Sequence, residues 1–242
     1  LQVHAVLLVA LAALTLRIPQ GSKPSSKGPN ASLKEVLSKP SLMALYGVGI
    51  IHQSTISFYD HFYALHVTRT LELGAWIASG SIALRVGLEV IILARGHILL
   101  QRLGISRLLL LSIASGIPRW LLTAELDSPV LLIATQSLHG LGFGAWWVAA
   151  IALVDREAPG KLRNTAQGLY MASSHGMGTL VAMATAGILL DRTSTSTVFL
   201  ASAGLSTLAL LAAVAFLVPA LKTPSHVDRP DGPGESSTSP ER

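Results

Sequence analysis

Cysteine is absent from the 242-residue sequence, which excludes disulfides, cysteine-ligated metals and thiol nucleophiles. Charge is scarce: Asp, Glu, Lys and Arg make up 13% of the residues, against 50% hydrophobic ones. That is about half the charge of an ordinary globular protein. A soluble domain of this size would have too little charge to cover its surface. No GxSxG elbow is present, so a serine hydrolase is not supported. His52, His61, His139 and His175 show no HExxH or paired spacing, so no metal site is expected. No cofactor is implied.

The chain holds long apolar runs instead, with a mean hydropathy of +0.55. Six of them cover residues 42–65, 75–94, 107–124, 130–154, 165–190 and 198–217. Each is near the ~20 residues a helix needs to cross a bilayer. Pro40, Gly74, Gly104, Pro129, Pro159 and Gly160 fall between them as breakers. Lipid supplies no water to backbone groups, so such runs are helices or barrel strands. These are too long and too evenly apolar for strands, which alternate. The expected fold class is therefore all-α, a polytopic transmembrane helix bundle, with the bundle over residues 41–219.

Residues 1–18 form a shorter apolar run closed by Arg17. No basic segment precedes it and no small-residue cleavage site follows, which argues against the alternative of a signal peptide. It reads as the end of a transmembrane helix, the start of which lies ahead of Leu1. Residues 19–40 are a Lys/Pro/Ser/Gly linker, and residues 220–242 are a Pro/Ser/Asp-rich tail expected to be disordered.

The net charge of +5 and pI near 9.8 could suggest nucleic acid. Its distribution points to membrane topology instead, and no nucleic-acid partner is expected. The linker carries Arg17, Lys23, Lys27, Lys34 and Lys39, and alternate loops carry Arg95, Arg102, Arg107, Arg156, Lys161 and Arg163. The tail adds Lys222, Arg229 and Arg242, whereas the opposite side has only Arg69 and Arg192. Basic residues stay on the cytoplasmic side, so linker, alternate loops and tail are expected there, in a plasma-membrane protein.

A few polar side chains lie inside the spans, where a charge is costly and marks a partner or a wet cavity. Arg85 and Glu89 are four residues apart on one helix face. They read either as a self-neutralising pair or as a coupling or substrate site. Arg119 follows Pro118, which frees a carbonyl and permits a kink; Arg119 is expected to face a cavity. Gln136, His139, Gly140, Phe143 and Trp147 share one helical stripe. It combines a titratable imidazole, an amide and aromatic walls with small residues that admit another helix. Tyr59 fits an aromatic belt, Asp60 and His61 the outer end of their span, and His66 the interface. Ser174-His175-Gly176-Met177-Gly178 reads as close packing, continued by the small face of Gly178, Ala182 and Ala186.

Two loops carry a wider pattern. Gly96-His97-Ile98-Leu99-Leu100-Gln101-Arg102-Leu103-Gly104-Ile105-Ser106-Arg107 resembles the Gly-x-Leu-x-Asp-Arg-x-Gly-Arg loop of major facilitator superfamily transporters, with Gln101 where the acid stands. In that pattern Arg102 and Arg107 would bind helix-end carbonyls and carboxylates, and Gly104 would make the turn. Pro159-Gly160-Lys161-Leu162-Arg163-Asn164-Thr165-Ala166-Gln167-Gly168 is similar to the loop before the eleventh helix of such transporters. Glu89, Arg119-Trp120 and Gln136-x-x-His139-Gly140-x-x-Phe143-Gly144 resemble helices eight to ten of the phenylpropionate permease-like branch, which is related to lactose permease. The resemblance covers residues 42–217, the C-terminal six-helix half.

This resemblance implies proton coupling and substrate binding at Glu89, Arg119 and His139. Arg85 stands outside the pattern. The implied protein is a proton-coupled symporter of a small organic solute that works by alternating access around a site between two halves. Its partners would be solute, protons, the lipid bilayer and an N-terminal half of the same transporter. Residues 1–18 would close the sixth helix. The expected site residues are Glu89, Arg119, His139, Gln136, Arg85, Phe143, Tyr59 and Asp60. The alternative is a non-transporting membrane scaffold or receptor on a half-transporter fold, with closed ion pairs as its mark. A membrane enzyme ranks third.

Overall fold

The computed structural model describes residues 33–158 and 160–222. The span end expected at 1–18, most of the linker and the tail from 223 onward lie outside the described residues. A one-turn helix, Leu33–Leu37, falls inside the segment read as linker. Six long helices follow: α1 (Pro40–Leu65), α2 (Ala75–Ala94), α3 (Gly96–Glu125), α4 (Pro129–Glu157), α5 (Gly160–Leu190) and α6 (Thr195–Lys222). They match the six apolar runs, with the ends extended into the polar flanks.

The helix starts follow local chemistry. Pro40 and Pro129 occupy the first turns of α1 and α4, where a missing N–H is harmless. Gly104 has φ +73°, a left-handed value that side chains avoid. It separates a short leading piece of α3 from the long one and makes the turn expected of it. The helix continues through Pro118 to Glu125. Arg102 and Arg107 are exposed and make no hydrogen bond or ion pair among the described residues, unlike the role expected for them.

Helices α2 to α6 are each long and apolar enough to cross a membrane. Their outward faces carry Val86, Val90 and Ile91 on α2, Leu180 and Ile188 on α5, and Leu208, Leu211 and Phe216 on α6. Such surface is stable against lipid. Helix α1 is as long but carries His52, Gln53, Ser54, Thr55, Ser57 and Asp60, and most of it is buried. It packs on α5 and α6, α3 packs on α4 and α6, and α2 lies against the middle of α4.

Small residues set these approaches. A Cβ on Gly140 would stand 3.2 Å from the carbonyl carbon of Leu88, and one on Gly144 3.1 Å from Ile92. Two glycines one turn apart thus let α4 lie almost on the α2 backbone beside Glu89. Gly178, Ala182 and Ala186 are all buried, as the small-residue face requires. The middle of α4 is irregular: a turn at residues 136–137 leads into a π-helical stretch, Gly140–Ala145. Wide turns of this kind release carbonyls from the helix ladder. Gly142 O accepts a bond from His52 Nε2 of α1 at 3.0 Å.

Candidate functional site

The polar residues of the spans converge where α1, α2, α3 and α4 meet. At the centre is Tyr59, 2% exposed, so it belongs to the interior and not to an aromatic belt. Its ring stacks on Tyr63 at 4.5 Å. Two guanidinium groups approach the same ring, Arg119 at 4.6 Å and Arg85 at 5.2 Å from its centroid. The electron-rich face of a phenol favours a cation in each position.

Arg119 is 2% exposed. Its Nε and Nη2 donate to Gln136 Oε1 at 3.2 and 2.9 Å, and it also lies over Trp120 at 4.0 Å. Gln136 Nε2 donates onward to Leu132 O and Thr123 Oγ1 at 3.3 and 3.4 Å. Arg119 is thus held in the interior by Gln136 and two aromatic faces. Among the described residues no carboxylate pairs with it.

Arg85 and Glu89 do not form the one-turn pair that their spacing allows. Arg85 Nη1 donates to Asp60 Oδ1 on α1. Asp60 is therefore an inter-helix partner. Helical backbone runs on past Leu65 as a π turn, His66–Thr70. Glu89 Oε2 faces His139 Nε2 of α4 at 3.5 Å, with 22% of the Glu89 side chain exposed and 2% of His139. The close α2–α4 approach at Gly140 brings these two together.

On the far side of Glu89 an open cleft of about 260 Å³ is lined by Glu89, Leu93, Phe143, Trp147 and His175. Phe143 stacks against His139 at 5.4 Å and Trp147 at 6.1 Å, and Trp147 meets the edge of His175 at 5.4 Å. Aromatic faces, one carboxylate and an imidazole thus border one space. The buried Nδ1 atoms of His139 and His175 have no hydrogen-bond partner.

Of the eight expected site residues, Glu89 and Phe143 line the cleft and His139 backs it. Tyr59, Asp60, Arg85, Arg119 and Gln136 form the adjoining interior network. Besides Tyr59, three further residues were missed or misplaced by sequence reasoning. Trp147 was on the stripe but not among the site residues. His175 was read as packing, and only its ring chemistry beside Trp147 could have flagged it. His66 is fully buried and not interfacial: its Nε2 donates to Thr123 O at 3.0 Å, and Thr195 Oγ1 donates to its Nδ1 at 2.8 Å.

Comparison with known proteins agrees with this architecture. The structure of nucleoside transporter NupG (D323A mutant) superposes with a TM-score of 0.72, at 19% identity, over 88% of this chain and 59% of that one. The "Putative nucleoside transporter YegT" of Escherichia coli (strain K12) is 24% identical over 162 residues, 65% of this chain and 37% of the relative. The "Maltose permease" of Geobacillus stearothermophilus is 33% identical over 103 residues, 42% of this chain and 26% of the relative. The chain thus spans well under half the length of these two curated relatives. Apolar helices, the superposed fold and these relatives together make it an integral membrane protein. A family model described as "MFS_1 like family" matches residues 2–201, and the chain belongs to that family, within the major facilitator superfamily.

Proposed function

We propose that this chain forms the C-terminal half of a proton-coupled membrane transporter, and that its solute is a nucleoside or similar hydroxylated ring compound. An N-terminal six-helix half would complete the site at the midplane between them. The observation that carries the reading is Glu89: a carboxylate on the wall of an aromatic cleft, part-exposed, with a histidine behind it. A carboxylate at membrane depth is costly unless it faces water, a partner or a proton. The flat walls of Phe143 and Trp147 suit a ring, and Glu89 suits hydroxyl donors. A cleft of about 260 Å³ fits one small solute. One relative is named a putative nucleoside transporter and another a maltose permease, and nucleosides and maltose are both hydroxylated ring compounds.

Coupling requires that Glu89 bind its proton in one state and release it in another. Movement of α2 against α4 would do this by changing what faces the carboxyl, beginning with His139. The scaffold alternative finds support in Arg119, which is closed off by Gln136. The open Glu89 face favours transport.

The test is the full-length transporter in proteoliposomes under an inward acid gradient, with labelled uridine and maltose offered separately. Uridine is expected to accumulate, and Glu89→Gln is expected to lose accumulation far more than it loses solute exchange. Accumulation at the normal rate in Glu89→Gln would remove the coupling role. Uptake of maltose but not uridine would move the solute to sugars.

A further inference from the structure

Arg85 pairs with Asp60 across helices and stands one helical turn from Glu89 on its own helix. We propose that Arg85 is a positioning residue for coupling: it exchanges between Asp60 on α1 and Glu89 on its own helix as the transporter cycles. The proposal rests on the coupling role of Glu89.

Three observations carry it. Arg85 donates to Asp60 through Nη1 alone, while its Nε is buried without a hydrogen-bond partner. That leaves the guanidinium short of the fork geometry at which arginine binds a carboxylate best. Glu89 lies four residues along the same helix, so its carboxyl stays within reach of the Arg85 side chain however α2 moves. Asp60 stands on α1, and α1 and α2 touch each other little compared with their contacts to other helices. A shift between α1 and α2 therefore breaks the Asp60 contact and cannot break the Glu89 option.

The ring of Tyr59 completes the arrangement. Its face holds Arg85 at 5.2 Å and leaves the guanidinium free to turn on it, since a π face imposes no single hydrogen-bond direction. The other charged or titratable groups near Glu89 are His139 on α4 and His175 across the cleft, with Arg119 beyond Tyr59. Arg119 is held by Gln136 and does not compete for Glu89. While Arg85 serves Asp60, Glu89 has the imidazole as its close partner and feels Arg85 only through space, and it can take a proton. When Arg85 turns to Glu89, the carboxylate gains a permanent cation and gives the proton up. Asp60 is 38% exposed, so it can be left in water during that half of the cycle.

The decisive variant removes both charges of the inter-helix pair. Asp60→Asn with Arg85→Gln in the full-length transporter leaves no stranded ion and keeps both shapes. If Arg85 only neutralises Asp60, the double variant accumulates uridine as the parent does. If Arg85 also serves Glu89, the concentration ratio reached under an acid gradient falls roughly tenfold or more relative to solute exchange, because an adjacent unit charge alters proton binding by at least that factor. The charge swap Asp60→Arg with Arg85→Asp is the second arm. It rebuilds the inter-helix pair but places an acid beside Glu89, so accumulation is expected to stay low while the protein inserts normally. Parental accumulation in either variant overturns the proposal. Glu89→Gln measured alongside separates the two levels: if it accumulates normally, the coupling reading fails first; if it does not and the double variant does, only the role of Arg85 fails.

Discussion

The pairing of Arg119 with Gln136 sets a quantity that stability measurements can read. Gln136 supplies the acceptor for two donors of a buried guanidinium, at 2.9 and 3.2 Å. Gln136→Leu would leave that cation with only the π faces of Tyr59 and Trp120. Stranding a buried charge by removing its partner costs roughly 3–5 kcal/mol. Arg119→Met does the opposite: it fills the space of the stem and leaves a neutral amide unpaired, at about 1–3 kcal/mol. The double variant has neither a stranded charge nor an unpaired side-chain amide, and although Leu132 O and Thr123 Oγ1 lose a donor in both, it is expected to be more stable than Gln136→Leu alone. The cycle therefore predicts strong non-additivity, about 2 kcal/mol or more.

This magnitude separates a charge from an ordinary contact. Hydrogen bonds between side chains in membrane proteins average only ~0.6 kcal/mol in such cycles. Thermal unfolding in detergent is a suitable assay, since 1 kcal/mol moves Tm by about 2–4 °C for a chain of this size. Gln136→Leu is expected to lose roughly 10 °C, and the double variant to recover part of it. Additive losses, or a Gln136→Leu shift of a degree or two, would mean that Arg119 finds other partners and that the closed pair is not what holds it.

Three further outcomes are expected. Gly140→Ala places a methyl 3.2 Å from the α2 backbone at Leu88, so it should separate α2 from α4, cost about 1–3 kcal/mol and weaken uridine accumulation through the Glu89–His139 contact; parental stability and transport would refute the close-approach argument. Trp147→Ala should raise KM for uridine roughly tenfold with exchange capacity kept, since stacking on an aromatic side chain contributes ~1–3 kcal/mol; an unchanged KM would remove Trp147 from the solute site. Cysteines introduced at Lys27 or Ser237 of this cysteine-free chain should resist an impermeant reagent in intact cells, and labelling there would overturn the cytoplasmic assignment.

The helices were legible because their signal is one-dimensional. Each span is a run of apolar residues bounded by Pro, Gly or charge, and lipid leaves the backbone little choice within it. The turn at Gly104 and the small face of Gly178, Ala182 and Ala186 were legible for similar local reasons. Partners were not. Spacing alone pairs Arg85 with Glu89, yet Arg85 turns to Asp60 and Glu89 to His139. Those contacts depend on how closely α1, α2 and α4 approach, and Gly140 decides part of that through a contact to Leu88 that no local pattern announces. His66 was misplaced for the same reason. Its neighbours in sequence look interfacial, whereas its partners Thr123 and Thr195 come from α3 and α6.

The polarity of α1 then acquires a physical meaning. By composition it is the least suited of the six long helices to lipid, and it is the one most enclosed by protein. Several of its polar side chains find a partner on another helix: His52 on α4, Ser57 on α5, and Asp60 and Tyr63 on α2. His66, in the π turn after it, reaches α3 and α6, whereas Ser54, Thr55 and His61 bond to carbonyls of α1 itself. The inter-helix bonds add to the packing between helices, where lipid supplies no hydrophobic drive, and α1 packs mainly on α5 and α6. Helix α2 shows the reverse pattern, with mostly apolar, outward-facing residues and few bonds to α1 beyond Asp60–Arg85 and Tyr63–Ser81. A helix held to α1 by so few directional contacts can shift against it at lower cost, and α2 is the one that carries Glu89. Composition along the chain thus divides the bundle into a polar, many-bonded centre and an apolar, lightly held helix, and the charge expected to move a proton sits on the second.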